Sequence, residues 1–342
     1  MSEHNPRKSV QRVLAACSGG DAAVIVRSIQ AMGLEAIAAF DEATSEAPWV
    51  QAADWDAPLL ARDADDDPWS DPQRLVSAAL DAGADALHPG AGASAASGAL
   101  ARLTIASGLG WLGVQPELLE SWTRAIEQAA AQVGIVLDRD EASGLESTRV
   151  GVLGDGHRMT LLGQQSLLAG GLAEVTACTD AIARAALALA SALRLTGIAS
   201  FDLVEVPGGR VVILGAHPAL SGWFMFDEAL SANLVAAQVQ LAAGEDLQWD
   251  SERPTVRPTV AAVVRTIAPC EWAEDTMQLD PAQATMLVGP GPVPRSTPVA
   301  LIARSGPTLQ AARARVSEAL LALPLPNTNA ASVCARLFGE PT

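Results

Sequence analysis

The chain has 342 residues, 49% of them hydrophobic, a mean hydropathy of +0.23 and a formal net charge of −17. Its length and apolar content suffice for two or three domains with a large core, and no window approaches about 18 uninterrupted apolar residues, which argues against a membrane span. The acidic balance argues against nucleic acid as a partner, because phosphate backbones need basic stripes, and equally against anionic membrane surfaces.

The N-terminus, MSEHNPRKSVQR, is polar and lacks a signal-peptide h-region, so a cytoplasmic location is expected. Cys17, Cys178, Cys270 and Cys334 show no CxxC spacing and read as reduced core thiols rather than metal ligands or disulfides. Lysine occurs once, as Lys8. Every other basic side chain is arginine, so the fold interior has no compact ammonium point charge to offer.

In chain order, residues 12–16 read as a buried strand, 18–20 as a glycine loop with Asp21 as a helix cap, the following helix as running to Met32, and 35–40 as a second strand. This βαβ unit predicts a parallel, doubly wound sheet. Residues 41–71 read as an acidic, loop-rich passage with one short strand near Leu59 and Leu60, and 63–67 as a solvated surface rather than a cation site. A helix over 74–82, a strand over 85–87, the tight loop 88–92, a helix over 95–107 capped by Ser94, a strand over 111–113 and a helix over 116–132 complete the unit. His88 reads as a loop cap rather than a base. Residues 136–148 are short and polar. Gly154-Asp155-Gly156 marks a hairpin between 149–153 and 157–162, and a helix covers 180–195 with Asp180 as its cap.

A second hairpin follows: an apolar run over 198–205, the turn Pro207-Gly208-Gly209, and a β-branched run over 210–214. An irregular loop leads from it into a helix over 226–243 closed by Gly244. The rest reads as a linker over 252–258, strands over 260–267 and 299–303, a turn-rich loop over 289–294, and helices over 309–322 and 330–338.

RVLAACSGGDAAVIVRSIQAMGLEAIAAF, DALHPGAGASAAS, GLGWLGVQPELLESW, TRVGVLGDGHRMTLLGQQ, FDLVEVPGGRVVILGAHPAL and ANLVAAQVQLAAGEDL follow one another as in the biotin carboxylase subunit of biotin-dependent carboxylases, which this chain resembles from about Arg12 to Phe338. The resemblance implies a doubly wound parallel N-terminal domain (pre-ATP-grasp, 11–135), a short linker (136–148) where the lid should be, a remnant ATP-grasp core (149–250) and a C-terminal α+β domain (251–342). The family spends on the order of a hundred residues on that lid, a whole small domain.

The family activates bicarbonate with ATP and carboxylates biotin, using lysines and a glycine-rich lid for the phosphates, two carboxylates and an Asn for magnesium, and an Arg and a Glu for bicarbonate. At the matching positions Asp202 stands for the first metal carboxylate, Gly215 for the second, His217 for the Asn and Ala219 for the catalytic Arg. QVEH becomes Ser221-Gly222-Trp223-Phe224, so the base is lost at Trp223; the Tyr of HPGYG is Ala91; a phosphate lysine becomes Arg124; and the Arg that steadies the biotin enolate survives as Arg265. Asp202, Arg124 and Arg265 are the remnant binding candidates. Asp202 is expected as a structural acid paired with an Arg or a backbone amide, and Arg265 as an ion-pair partner within the fold. Trp223, Phe224 and Phe226 either plug the former site or form a partner-contact patch.

The expectation is therefore a pseudoenzyme without catalytic residues, metal, ATP or biotin binding. It would act as scaffold or regulator beside a biotin carboxylase, carboxyltransferase or biotin carrier, and as a homo- or hetero-oligomer, since the family commonly dimerises outside the lid. Two other readings stand beside it: a sensor for a nucleotide or acyl-CoA-like molecule, and an enzyme with new chemistry.

Overall fold

The computed structural model describes residues 10–63, 65–137, 145–168, 170–220, 222–245, 247, 254–272, 284–288, 291–323, 325 and 327–338. The first unit carries β1 (Arg12–Ala15), α1 (Gly19–Gln30), β2 (Glu35–Phe40), α2 (Pro48–Ala52), β3 (Trp55–Pro58), α3 (Pro72–Asp81), β4 (Ala86–His88), α4 (Gly98–Ala106), β5 (Gly110–Trp111), α5 (Pro116–Leu119) and α6 (Trp122–Val133). Its five strands pair in parallel in the order β3-β2-β1-β4-β5. The doubly wound sheet expected from the βαβ pattern is present.

In such a sheet ligands favour the crevice beyond the carboxyl ends of the strands flanking the reversal, here β1 and β4. At that point the two strand ends stay tied together and the loops beyond them pack closely. Ala16 N donates to His88 O at 2.8 Å. Gly90, at φ 73°, lies so close to Cys17 that any Cβ there would overlap the cysteine side chain.

Several boundaries differ from the sequence reading. The strand expected at Leu59 and Leu60 is β3, at Trp55–Pro58, and Leu59 is core just beyond it. Asp21 lies inside the first turn of α1 rather than capping it; the N-cap is Ser18. The helix expected from 95 starts at Gly98, because the hydroxyl of Ser97, not Ser94, accepts from Leu100 N. The helix expected over 116–132 is two helices. Ser121 leaves helical geometry (φ −123°, ψ 23°), and Trp122 Nε1 donates to Ala216 O at 3.0 Å, which pins the start of α6 to the second sheet.

That sheet follows from β6 (Thr148–Asp155), β7 (Met159–Leu168), β8 (Leu172–Thr176), α7 (Asp180–Ala192), β9 (Thr196–Val206), β10 (Arg210–His217), α8 (Trp223–Leu230), α9 (Leu234–Ala243), β11 (Thr259–Arg265), β12 (Cys270–Trp272), β13 (Thr285–Met286), β14 (Gly291–Val293), β15 (Pro298–Ser305), α10 (Leu309–Ala322) and α11 (Ala330–Leu337). Eight strands pair antiparallel in the order β10-β9-β6-β7-β8-β11-β15-β13, and β12 pairs with β14. The expected loop over 289–294 thus contains a strand where residues are described; 289 and 290 lie outside them, as do 252 and 253 of the expected linker and 138–144 of the segment in the lid's place. α7 is capped by Thr179, whose hydroxyl accepts from Ile182 N, rather than by Asp180. The single helix expected over 226–243 breaks at Ser231 (φ 51°), and Asn233 caps α9 by accepting from Ala236 N at 3.0 Å.

Strand alternation sorts the second sheet's residues. Val150, Val152 and Phe201 face the first unit and share its core with Leu14 and Leu87. Leu153 and Ile198 face the other way, onto Leu220, Met225 and Phe226. A third core, with Val264, Ile302, Val316 and Val333, holds the C-terminal helices on β11 and β15. The doubly wound first unit, the antiparallel sheet and this C-terminal α+β layer are the fold the resemblance implied.

Candidate functional site

Strand register, not sequence proximity, assembles the site. Gln165 on β7 stands opposite Arg149 on β6, Arg149 opposite Asp202 on β9, and Asp202 opposite Gly215 on β10. Directly opposed residues share a face, so these four form one polar row across the sheet, on the face that carries α8. A register shift between Ile213 and Gly215 brings Gly215 onto this row.

Asp202 is spoken for. Arg149 grips it with a two-point fork, Nε to Oδ1 at 2.7 Å and Nη2 to Oδ2 at 3.0 Å, and His217 Nε2 lies 2.9 Å from Oδ2. The Asp202 and Arg149 side chains are 21% and 23% exposed, so solvent screens the pair only in part. Burial opposes the charge on Asp202, yet the hydrogen bonds from His217 and Arg149 outweigh it and hold the carboxyl well below the usual range. A side chain at Gly215 would press on Asp202 Oδ2, 3.2 Å from a built Cβ. The sequence singles out Asp202 and His217 and gives Arg149 only as the start of a strand.

A magnesium ion bridging phosphate oxygens needs several free oxygen donors. Here one carboxylate has both oxygens engaged, the next position is a glycine, and the third is an imidazole bonded to that same carboxylate. The residues present do not fit the ion. Among the described residues no group of three or more His, Cys, Asp or Glu could hold a metal.

The other candidates are dispersed. Arg124 lies on the exposed face of α6. Arg265 is exposed at the end of β11; its Nη1 donates to Ser296 O at 3.2 Å and its backbone is bracketed by Asn329, so the expected interior ion pair is replaced by a loop clamp. Ala219 is buried, its carbonyl accepting from Ser200 Oγ at 2.8 Å. Phe226 is fully buried between Leu220 and the second sheet, which removes it from any partner surface. Its ring is core because α8 packs on β8, β11 and β15. The side chains of Trp223 and Phe224 lie outside the described ones.

His88 is a loop cap. Its Nδ1 accepts from Gly90 N at 3.0 Å, which leaves Nε2 to donate to Gln238 Oε1 at 2.8 Å. Complete burial lowers its pKa to about 4, against a smaller upward effect of Gln238, so the ring is neutral.

A cavity of about 360 Å³ opens at the β7 end of the polar row, lined by Arg149, Gln164, Gln165, Ser166, Leu168 and Asp202 among others. A second, of about 310 Å³, lies between β5 and α9 against Trp111, Gln115, Gln238 and Leu241. The amides of Gln115 and Gln238 are both fully engaged by the protein there.

Residues 9–119 match the family model of the biotin carboxylase N-terminal domain. The chain is 32% identical over 108 residues to the biotin-dependent acyl-coenzyme A carboxylase alpha3 subunit of Mycobacterium leprae, a stretch that is 32% of this chain and 18% of that protein. It is 29% identical over 110 residues to the biotin carboxylase of Halalkalibacterium halodurans, 32% of this chain and 24% of that protein. The chain therefore matches less than a quarter of the length of either relative. Among solved structures, the biotin carboxylase domain of a single-chain bacterial carboxylase superposes with a TM-score of 0.78 at 22% identity, covering 96% of this chain and 93% of that one. The Kluyveromyces lactis urea amidolyase superposes at 0.81 and 16% identity over 98% of this chain and 22% of that one. Residues 9–119 are thus similar to the biotin carboxylase N-terminal domain, within a molecule whose fold is that of biotin carboxylase domains over 96% of the chain.

Proposed function

We propose that this chain is a non-catalytic, biotin carboxylase-like subunit that acts as scaffold or regulator within a biotin-dependent carboxylase complex. One observation carries the reading: the metal-position carboxylate, Asp202, is locked by Arg149 and His217 beside a glycine, within a chain that keeps the biotin carboxylase fold around it. Losing a single catalytic group commonly lowers turnover by orders of magnitude, and here the second carboxylate, the Arg and the base are replaced together. ATP, magnesium and biotin would not be bound. The M. leprae relative is a subunit of a carboxylase by name, which suggests partners of that kind: a biotin carboxylase, a carboxyltransferase or a biotin carrier. With no helix among the described residues long and apolar enough to cross a membrane, a cytoplasmic complex is the setting we infer.

Two measurements test this. The tagged chain, purified from its native host, should bring down a biotinylated protein visible to streptavidin; recovery of the chain alone would count against the scaffold. The purified chain with ATP, bicarbonate and free biotin should release no biotin-dependent ADP, and any such release would refute the pseudoenzyme reading.

A further inference from the structure

A third cleft, of about 320 Å³, lies where α1 and α2 of the first unit meet β13, at the opposite edge of the second sheet from β10. Its α1 wall is one stripe of the helix. Ala23, Val26, Arg27 and Gln30 follow at i, i+3, i+4 and i+7, so all four side chains turn to the same side. The walls opposite carry Pro48 and Trp49 from α2 and Met286 from β13, which makes the cleft mostly apolar and of a size that holds a small molecule.

Among the described residues lining the cleft, Arg27 alone is charged. It is exposed, and its Nη1 donates to Thr285 Oγ1 at 2.9 Å. The guanidinium therefore reaches from the α1 wall to the β13 wall and stands in the cleft, open to solvent. Its partner there is a neutral hydroxyl. Asp227 on α8 acts on it through space, yet no carboxylate oxygen among the described residues lies within the 4.0 Å of an ion pair. Gln30 Nε2 is spent on Ala52 O and Asp54 Oδ2, so the guanidinium is the donor group left to a ligand. An arginine fork with no carboxylate partner, set beside apolar walls, suits an anion of matching planar shape that carries an apolar body. A cation would meet like charge, and a polyphosphate would have one guanidinium against several charges and apolar surface around the rest.

We propose that this cleft binds a small monocarboxylate with an apolar, aryl or alkyl, body: the carboxylate on Arg27 and the body against Trp49, Pro48 and Met286. The site shares no residue with the polar row around Asp202 and is independent of the scaffold reading: it stands whether or not a carboxylase partner is recovered.

The test titrates the full chain with phenylacetate at low, constant ionic strength, with phenylacetamide, phenethylamine and acetate as controls. Phenylacetate should raise Tm with a saturable dose dependence and slow hydrogen exchange in α1, α2 and β13. Phenylacetamide, the same shape without the charge, should bind about fivefold more weakly, the factor expected of one partly exposed charge pair. Acetate and phenethylamine should give no saturable response. Arg27→Gln, at an exposed position, should bring phenylacetate down to the affinity of the amide; should that variant fail to fold, the comparison of acid with amide on the wild-type chain still decides. Absence of a phenylacetate response overturns the proposal, as does an amide that binds as tightly as the acid. Acid binding unchanged by Arg27→Gln, a saturable response to acetate or phenethylamine, or exchange protection confined to other elements would overturn it equally.

Discussion

At the residue scale, two groups make opposite use of burial. Asp202 keeps its charge because Arg149 and His217 replace the lost water. Its folded pKa is depressed, so its stabilisation is present above the unfolded value of about 4 and is lost as pH falls through the folded value. Asp202→Asn should cost about 1–3 kcal/mol in urea denaturation. The gap to wild type should close as pH falls below about 4 toward the folded value. A gap undiminished between about pH 4 and 2 would contradict the assignment. His88 instead stays neutral. Its pKa falls from 6.5 to about 4, so between those values the unfolded chain binds a proton that the folded chain refuses. The native state should lose about 3 kcal/mol on this account as pH drops through that window. His88→Asn keeps an acceptor for Gly90 N and has no imidazole to protonate, so the difference curve against wild type should slope between about pH 6.5 and 4 and flatten above. Asp21 and Asp227, raised by burial to about 6 and about 7, shift stability in the opposite direction, but they are common to both proteins and cancel in the difference.

At the element scale, the joint between α8 and α9 ties the second sheet to the first unit. Asn233 caps α9, and its Nδ2 also donates to Ser28 O on α1 at 2.7 Å. Asn233→Ala removes both bonds and should cost about 1–2 kcal/mol; Asn233→Ser should recover the cap alone, roughly half. Amide exchange in the first turn of α9 reads this directly, and unchanged protection in the alanine variant would show the cap to be idle. This joint also marks where the sequence was readable and where it was not. The β9–β10 hairpin was plain, because a β-branched run, a Pro-Gly-Gly turn and a second run specify it locally. The α8–α9 break left only Ser231 and Asn233 as signals inside an apolar stretch that suits a continuous helix. β8, over Leu172–Thr176, has little alternation to mark it in the sequence, since a strand buried between two others need not alternate. The site divided in the same way. Asp202 could be found by its place in a motif, whereas its partner Arg149 sits 53 positions away and is set by strand register. The contact of the Gln165 amide with Met225, 60 positions away, is likewise set by how α8 packs.

At the scale of the molecule, the second sheet is the continuous object. β11 pairs with β8 on one side and β15 on the other, so the strands bearing Asp202 and those bearing the C-terminal helices belong to one hydrogen-bonded ladder. On the scaffold reading proposed above, this ladder is what would hold a fixed surface for a partner. The ladder also predicts how the chain unfolds. Ala261 is buried and pairs with Ala173 on one flank and Ala303 on the other. A proline there deletes a ladder donor in a central strand, where no edge can absorb it, and should cost about 3 kcal/mol or more. If the sheet is one cooperative unit, Ala261→Pro should lower hydrogen-exchange protection in β6 and β9 as much as in β15 and α10, while β1 and β4, in the separate parallel sheet, keep more of theirs. Loss confined to β15 and α10, with β6 and β9 as protected as in wild type, would mean that the C-terminal layer folds apart from the site, and the sheet could then not be what preserves the site's shape.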